Sequence, residues 1–140
     1  QDKFADSYYY KFMPVSGKIK ILLIEDDPFL LNMYATKFEL ENFKVTVADD
    51  GEKGVRAVEK EIPDIILLDI MLPKMNGFEV LKQLKAIKNF CNIPVILLTN
   101  LSQKNEIEQG LSLGAVDFLI KAHFMPSEVV EKIKTILKKK

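Results

Sequence analysis

Asp64-Ile65-Ile66-Leu67-Leu68-Asp69-Ile70-Met71-Leu72-Pro73-Lys74-Met75-Asn76-Gly77-Phe78 is the stretch on which the reading of this chain turns. Ile65 to Leu68 is too short and too uniformly aliphatic for a surface helix. It reads as a strand covered on both faces, as strands of parallel sheets are. Asp69 stands at the C-terminal end of that strand, the edge of an open parallel sheet where ligands bind. Leu72-Pro73 and Asn76-Gly77 then stop the strand and force a turn, so Asp69 faces a loop-lined crevice and not a packed layer.

Outward from this stretch, short aliphatic runs alternate five times with amphipathic ones. Ile19 to Ile24 is the first strand and ends in Glu25-Asp26-Asp27; Leu30, Met33, Tyr34 and Phe38 follow at the three-and-four spacing of a helix. Val45-Thr46-Val47 is the second strand, and Asp49-Asp50-Gly51 turn and cap a helix carrying Val55, Val58 and Ile62. The third strand runs from Asp64 to Asp69. After it come a helix with Val80, Leu84 and Ile87, a strand from Pro94 to Thr99, and a polar helix from Ser102 to Leu113 with Ile107 and Leu111 on one face. Phe118 to Ile120 is the last strand. Ser127 is expected to cap a final helix striped with Val129, Val130, Ile133, Ile136 and Leu137. The order (βα)5 with right-handed crossovers predicts an α/β, flavodoxin-like, doubly wound parallel sheet of five strands in the order 2-1-3-4-5. Its switch point falls between the first and third strands, between Asp26 and Asp69. Residues 18–140 are expected to form this domain. Residues 1–17, with Tyr8-Tyr9-Tyr10 and Phe12 in no clear period, are expected to be an N-terminal tail or linker.

The 140 residues contain 20 basic and 20 acidic side chains, so net charge gives no attraction to nucleic acid or to a membrane surface. No apolar run approaches the roughly 20 residues that span a bilayer, and the first residues lack the apolar core of a signal peptide. One cysteine, Cys91, cannot form an internal disulfide. A cytoplasmic chain is expected, with no direct nucleic-acid or membrane contact. A start at Gln1 is expected of a processed chain or of part of something longer.

Four strand ends deliver Glu25-Asp26-Asp27, Asp69, Thr99 and Lys121 to one edge of the sheet. Clustered carboxylates repel one another unless a cation lies among them, and hard oxygen ligands suit Mg²⁺, with Mn²⁺ also fitting. Asp27 precedes Pro28, the arrangement of a helix N-cap and first residue, which leaves Glu25 and Asp26 as the metal pair. Asp69 could cap a turn, Lys121 could be solvated, Thr99 could end a strand and Phe118 could be core. All four meeting at one sheet edge argues for chemistry.

From about Ile19 to Leu137 the chain resembles the response regulator receiver domain, the phosphoryl-accepting module of two-component signalling. The resemblance rests on Ile24-Glu25-Asp26-Asp27, on Leu68-Asp69-Ile70-Met71-Leu72-Pro73 running into Met75-Asn76-Gly77, on Leu98-Thr99, and on Asp117-Phe118-Leu119-Ile120-Lys121. It implies Asp69 as phosphoacceptor, Asp26 as a direct metal ligand, Glu25 as an acid acting through water and Met71 as a backbone-carbonyl ligand. It further implies Thr99 as the hydroxyl that meets the phosphoryl group, Lys121 as the cation beside it and Phe118 as the switch aromatic. The implied partners are a sensor histidine kinase or phosphotransfer protein, and a downstream protein or second copy docking on the face of the fourth helix, fifth strand and fifth helix. Such a module catalyses only its own phosphorylation and dephosphorylation. The chemistry is consistent with the residues: a carboxylate nucleophile forms an acyl phosphate, and a metal with Lys121 offsets the repulsion of anion meeting anion.

Three other readings fit less well. A haloacid dehalogenase needs a second Asp two residues after the nucleophile, where this chain has Met71. A flavodoxin needs a Ser/Thr/Gly-rich phosphate loop after the first strand, where Glu25-Asp26-Asp27 would repel phosphate. A receiver-shaped module that no longer takes phosphate is opposed by Asp69, Thr99 and Lys121. Two departures from the family pattern stand out: Asn100 replaces a very small residue and Ala122 replaces proline. A trans Lys121-Ala122 bond is therefore expected, because cis before a non-proline costs roughly 3 to 4 kcal/mol.

Overall fold

The computed structural model describes residues 17–100, 104–121 and 125–138. Its elements are β1 (Lys20–Ile24), α1 (Pro28–Leu40), β2 (Lys44–Ala48), α2 (Gly51–Lys60) and β3 (Ile65–Asp69), followed by α3 (Gly77–Lys85), β4 (Val95–Thr99), α4 (Lys104–Ser112), β5 (Asp117–Ile120) and α5 (Pro126–Lys138). The five strands pair in parallel in the order β2-β1-β3-β4-β5, as the alternation predicts.

Strand residues divide by parity between two cores, because successive side chains on a strand point to opposite faces. Leu22, Ile24, Ile66, Leu68 and Leu97 pack with Val55 and Val58 of α2 and Val80, Leu81 and Leu84 of α3. Ile21, Leu23, Ile65, Leu67, Ile96 and Leu98 pack with Tyr34 and Phe38 of α1 and Val129, Val130 and Ile133 of α5. Every residue of β3 and β4 is buried, which is why both read as unbroken apolar runs. At about 1.5–3 kcal/mol for each fully buried Leu or Ile, the central strands carry much of the stability.

Helix ends follow local chemistry more closely than apolar spacing. Asp27 caps α1, its carboxylate accepting from the amides of Phe29 and Leu30 with Pro28 as first helical residue. Asp50 caps α2, and Asn76 with Glu79 closes a capping box on α3. Four expectations are corrected. Ile62 is 47% exposed, because α2 stops at Lys60 and Glu61 turns to extended backbone ahead of Pro63. Ile87 lies past the end of α3 and is 37% exposed. On α4, Ile107 is half-buried and Leu111 exposed. The residue that packs is Gly110, where any Cβ would strike the Leu97 side chain. Ser127 is the second residue of α5 and not its cap: Pro126 opens the helix, and the Glu128 carboxylate accepts from the Met125 amide. The expectations about residues 1–16, Leu101, Ser102 and the Lys121-Ala122 bond lie outside the described residues.

Candidate functional site

Parallel register decides which residues share the sheet's C-terminal edge. Ile24 pairs with Leu68, Asp69 with Leu98, and Thr99 with Ile120. Glu25, Asp69 and Lys121 are thereby brought together although Asp69 and Lys121 are 52 residues apart in the chain. The cleft above them, about 570 Å³, is lined by Glu25, Asp26, Asp27, Phe29, Leu30, Asp69, Met71, Asn100 and Lys121.

The ammonium of Lys121 joins the two buried acids. It donates to Asp69 Oδ2 at 2.9 Å and lies 2.9 Å from Glu25 Oε1. The second contact is an ion pair, and apart from that ammonium Oε1 has no hydrogen-bond donor among the described residues. The other oxygen, Oε2, accepts from the Asp27 amide at 3.0 Å. Asp69 Oδ1 accepts from the Met71 amide at 3.2 Å. Glu25 is fully buried and Asp69 2% exposed, whereas Asp26 is exposed at the rim.

Burial pushes the Asp69 carboxyl up to about 7, the Lys121 hydrogen bond pulling it down and the Glu25 charge raising it further. Burial by itself would lower the Lys121 ammonium, but its contacts with Glu25 and Asp69 outweigh that and raise it. Two buried acids thus share one cation, and local charge is left uncompensated.

That imbalance is what a divalent cation would correct. Glu25, Asp26 and Asp69 can each offer a carboxylate oxygen within 4.8 Å of the others, and the buried Glu25 Oε1 has no donor beyond the ammonium it shares with Asp69 among the described residues. An all-oxygen donor set of this kind fits Mg²⁺ or Mn²⁺.

The remaining expected residues are placed less directly. Thr99 is buried at the end of β4, with its hydroxyl donating to the Asn100 carbonyl at 3.1 Å. Phe118 is half-buried and packs against the core under α2 and α3. Met71 is 65% exposed. Phe29 and Leu30 line the cleft although sequence reading assigned them no role there. Their place in the first turn after Asp27-Pro28 is the signal that could have found them.

The family model for the response regulator receiver domain matches residues 21–134. The chain is 38% identical over 120 residues to the alkaline phosphatase synthesis transcriptional regulatory protein PhoP of Bacillus subtilis (strain 168), covering 86% of this chain and 49% of that protein. Among solved structures it is similar to the receiver domain of the Francisella response regulator 1452, at 31% identity and a TM-score of 0.79, covering 87% of this chain and 98% of that one. It is also similar to the signal receiver domain of a signal transduction histidine kinase from Syntrophus aciditrophicus, at 29% identity and a TM-score of 0.78, covering 86% and 90%. The chain spans about half the length of the curated relatives it matches. No helix among the described residues is long and apolar enough to cross a membrane. With its β2-β1-β3-β4-β5 sheet and the acid pair bridged by Lys121, the chain belongs to the response regulator receiver domains, the phosphoacceptor modules of two-component signalling.

Proposed function

We propose that Asp69 is the phosphoacceptor and that residues 18–140 act as a Mg²⁺-dependent signalling switch, with residues 1–17 as a tail or linker. The observation that carries this reading is the Lys121 ammonium 2.9 Å from both Asp69 and Glu25 at the floor of an acidic cleft. Asp26 and Asp69 would hold the metal directly, with the Met71 carbonyl, and Glu25 through water; Mn²⁺ would serve in its place. When bound, the ion neutralises charge on the transferring phosphoryl group.

The chain's own residues do the rest. An ionised Asp69 oxygen attacks phosphorus while the bond from phosphorus to the donor nitrogen of a phosphohistidine breaks, and its electron pair stays on that nitrogen. Lys121 remains paired with the resulting acyl phosphate and offsets its charge. Thr99, whose hydroxyl donates to the neighbouring Asn100 carbonyl, rotates to donate to the new phosphoryl oxygens. Phe118 then repacks, biasing the face made by α4, β5 and α5 toward a state that binds a downstream protein or a second copy.

The donor is a sensor histidine kinase or phosphotransfer protein. Signalling proceeds through protein contacts in the cytoplasm, without direct nucleic-acid or membrane binding by this domain. The only reactions catalysed are its own phosphorylation and dephosphorylation. Incubation with a small phosphodonor should add one phosphoryl group by intact mass with Mg²⁺ present and none in chelator. Equal labelling in both conditions overturns the reading.

A further inference from the structure

The loop between β3 and α3 follows Asp69 and carries the Met71 carbonyl. The Gly77 amide on the Ile70 carbonyl at 2.8 Å closes its neck and the Asn76–Glu79 capping box fixes its end, but between them the internal supports are the Met71 amide on Asp69 Oδ1 at 3.2 Å and the Met75 amide on the Pro73 carbonyl at 2.7 Å. Lys74 between them takes a left-handed conformation, φ +71°, which is unfavourable for a non-glycine residue. Such a turn persists only where its surroundings hold it.

One neighbour holds it from the start of α2. Gly51, the first residue of α2, is buried and its amide points at the Pro73 carbonyl at 3.4 Å. A Cβ at Gly51 would collide with the Met75 carbonyl oxygen and would stand 2.8 Å from both Met75 C and Met75 Cβ. Backbone at that range cannot swing aside as a flexible side chain does. The glycine therefore permits the loop to lie directly on the start of α2. Asp50 holds that first turn in place, its Oδ1 accepting from the Lys53 amide at 2.8 Å.

We infer that Gly51 is a positioning residue for the metal site, acting through the 73–75 backbone to set the loop that carries Met71. The inference rests on the metal assignment proposed above. It differs from a packing role: a packing glycine changes stability alone, whereas this one changes metal affinity beyond what stability explains.

Mn²⁺ binding to the whole chain, followed through the spectrum of the free paramagnetic ion, tests it. Gly51→Ala should weaken Mn²⁺ about tenfold or more, the usual cost of disturbing a residue that orients a ligand. Gly114→Ala is the stability control: Gly114 has φ +112° and a Cβ there would press on Lys85 Cε at 3.2 Å, away from the cleft. It should lose stability and keep Mn²⁺ affinity within about twofold. Should Gly51→Ala fail to fold, Asp50→Ala loosens the same turn and should weaken Mn²⁺ about three- to tenfold. Asp50→Asn, which removes the charge and keeps the cap, should change it by less than about twofold. Equal affinities of Gly51→Ala and wild type, equal weakening in Gly114→Ala, or equal behaviour of the two Asp50 variants overturn the inference. Failure of the wild-type chain to bind Mn²⁺ overturns the metal assignment beneath it.

Discussion

Replacing Asp69 with asparagine should make the metal-free protein more stable at neutral pH. Asp69 is 2% exposed, and burial raises its carboxyl from 3.8 to about 7 in spite of Lys121. For an acid with a raised folded value, the native state holds its proton more tightly than the unfolded chain. Its stabilising contribution is complete below about pH 3.8 and is lost as pH rises to about 7. At about 1.4 kcal/mol for each tenfold change in proton affinity, a rise from 3.8 to about 7 makes the full loss on the order of 4 kcal/mol. Asparagine keeps the shape of the protonated acid and cannot ionise, so it escapes that loss. In chelator at about pH 8, Asp69→Asn should melt roughly 10 °C higher than wild type, and near pH 4 the two should nearly coincide. Thermal and urea denaturation across this range measure it. A variant no more stable than wild type at about pH 8, or a gain that does not change with pH, would refute the reasoning. Added Mg²⁺ should then stabilise wild type and narrow the gap, because a ligand of the native state shifts unfolding by mass action.

Lys121→Met leaves Glu25 and Asp69 buried without their shared ammonium, so it should cost about 3–5 kcal/mol at neutral pH and less in acid, where the carboxyls are protonated; urea titrations at both pH values check it. The residues two positions after Asp69 and Thr99 are apolar, Met71 and Leu101, and cannot orient a hydrolytic water. Phosphoryl decay should therefore be slow, and it should speed up in the double variant Met71→Asn with Leu101→Glu; unchanged decay would sink that idea.

The architecture was legible because β3 and β4 are unbroken aliphatic runs, and only a doubly covered parallel sheet buries such runs whole. The acid cluster was legible for the same reason: strand ends share an edge once the topology is known. What spacing could not supply lay where local chemistry overrode it. Ile62 and Ile87 continue an apolar period past the residues where α2 and α3 stop, and Gly110 packs against Leu97 by having no side chain at all. The reach of Lys121 to Asp69 was legible from the shared sheet edge and is observed. Nothing in the sequence tells that the same ammonium also pairs with Glu25, or that Gly51 lies against Met75. The orientation of the Thr99 hydroxyl toward the Asn100 carbonyl is a rotamer choice that sequence does not record.

The central claim is that Asp69 carries the phosphoryl group. Borohydride reduces an acyl phosphate to an alcohol, converting a phosphorylated aspartate to homoserine. Peptide sequencing by mass spectrometry then locates the changed residue. After treatment with Mg²⁺ and a small phosphodonor, conversion should fall on Asp69 and on no other acid, and it should vanish in Asp69→Asn. Homoserine at Asp26 or Asp27, or undiminished phosphorylation of Asp69→Asn, would contradict the assignment.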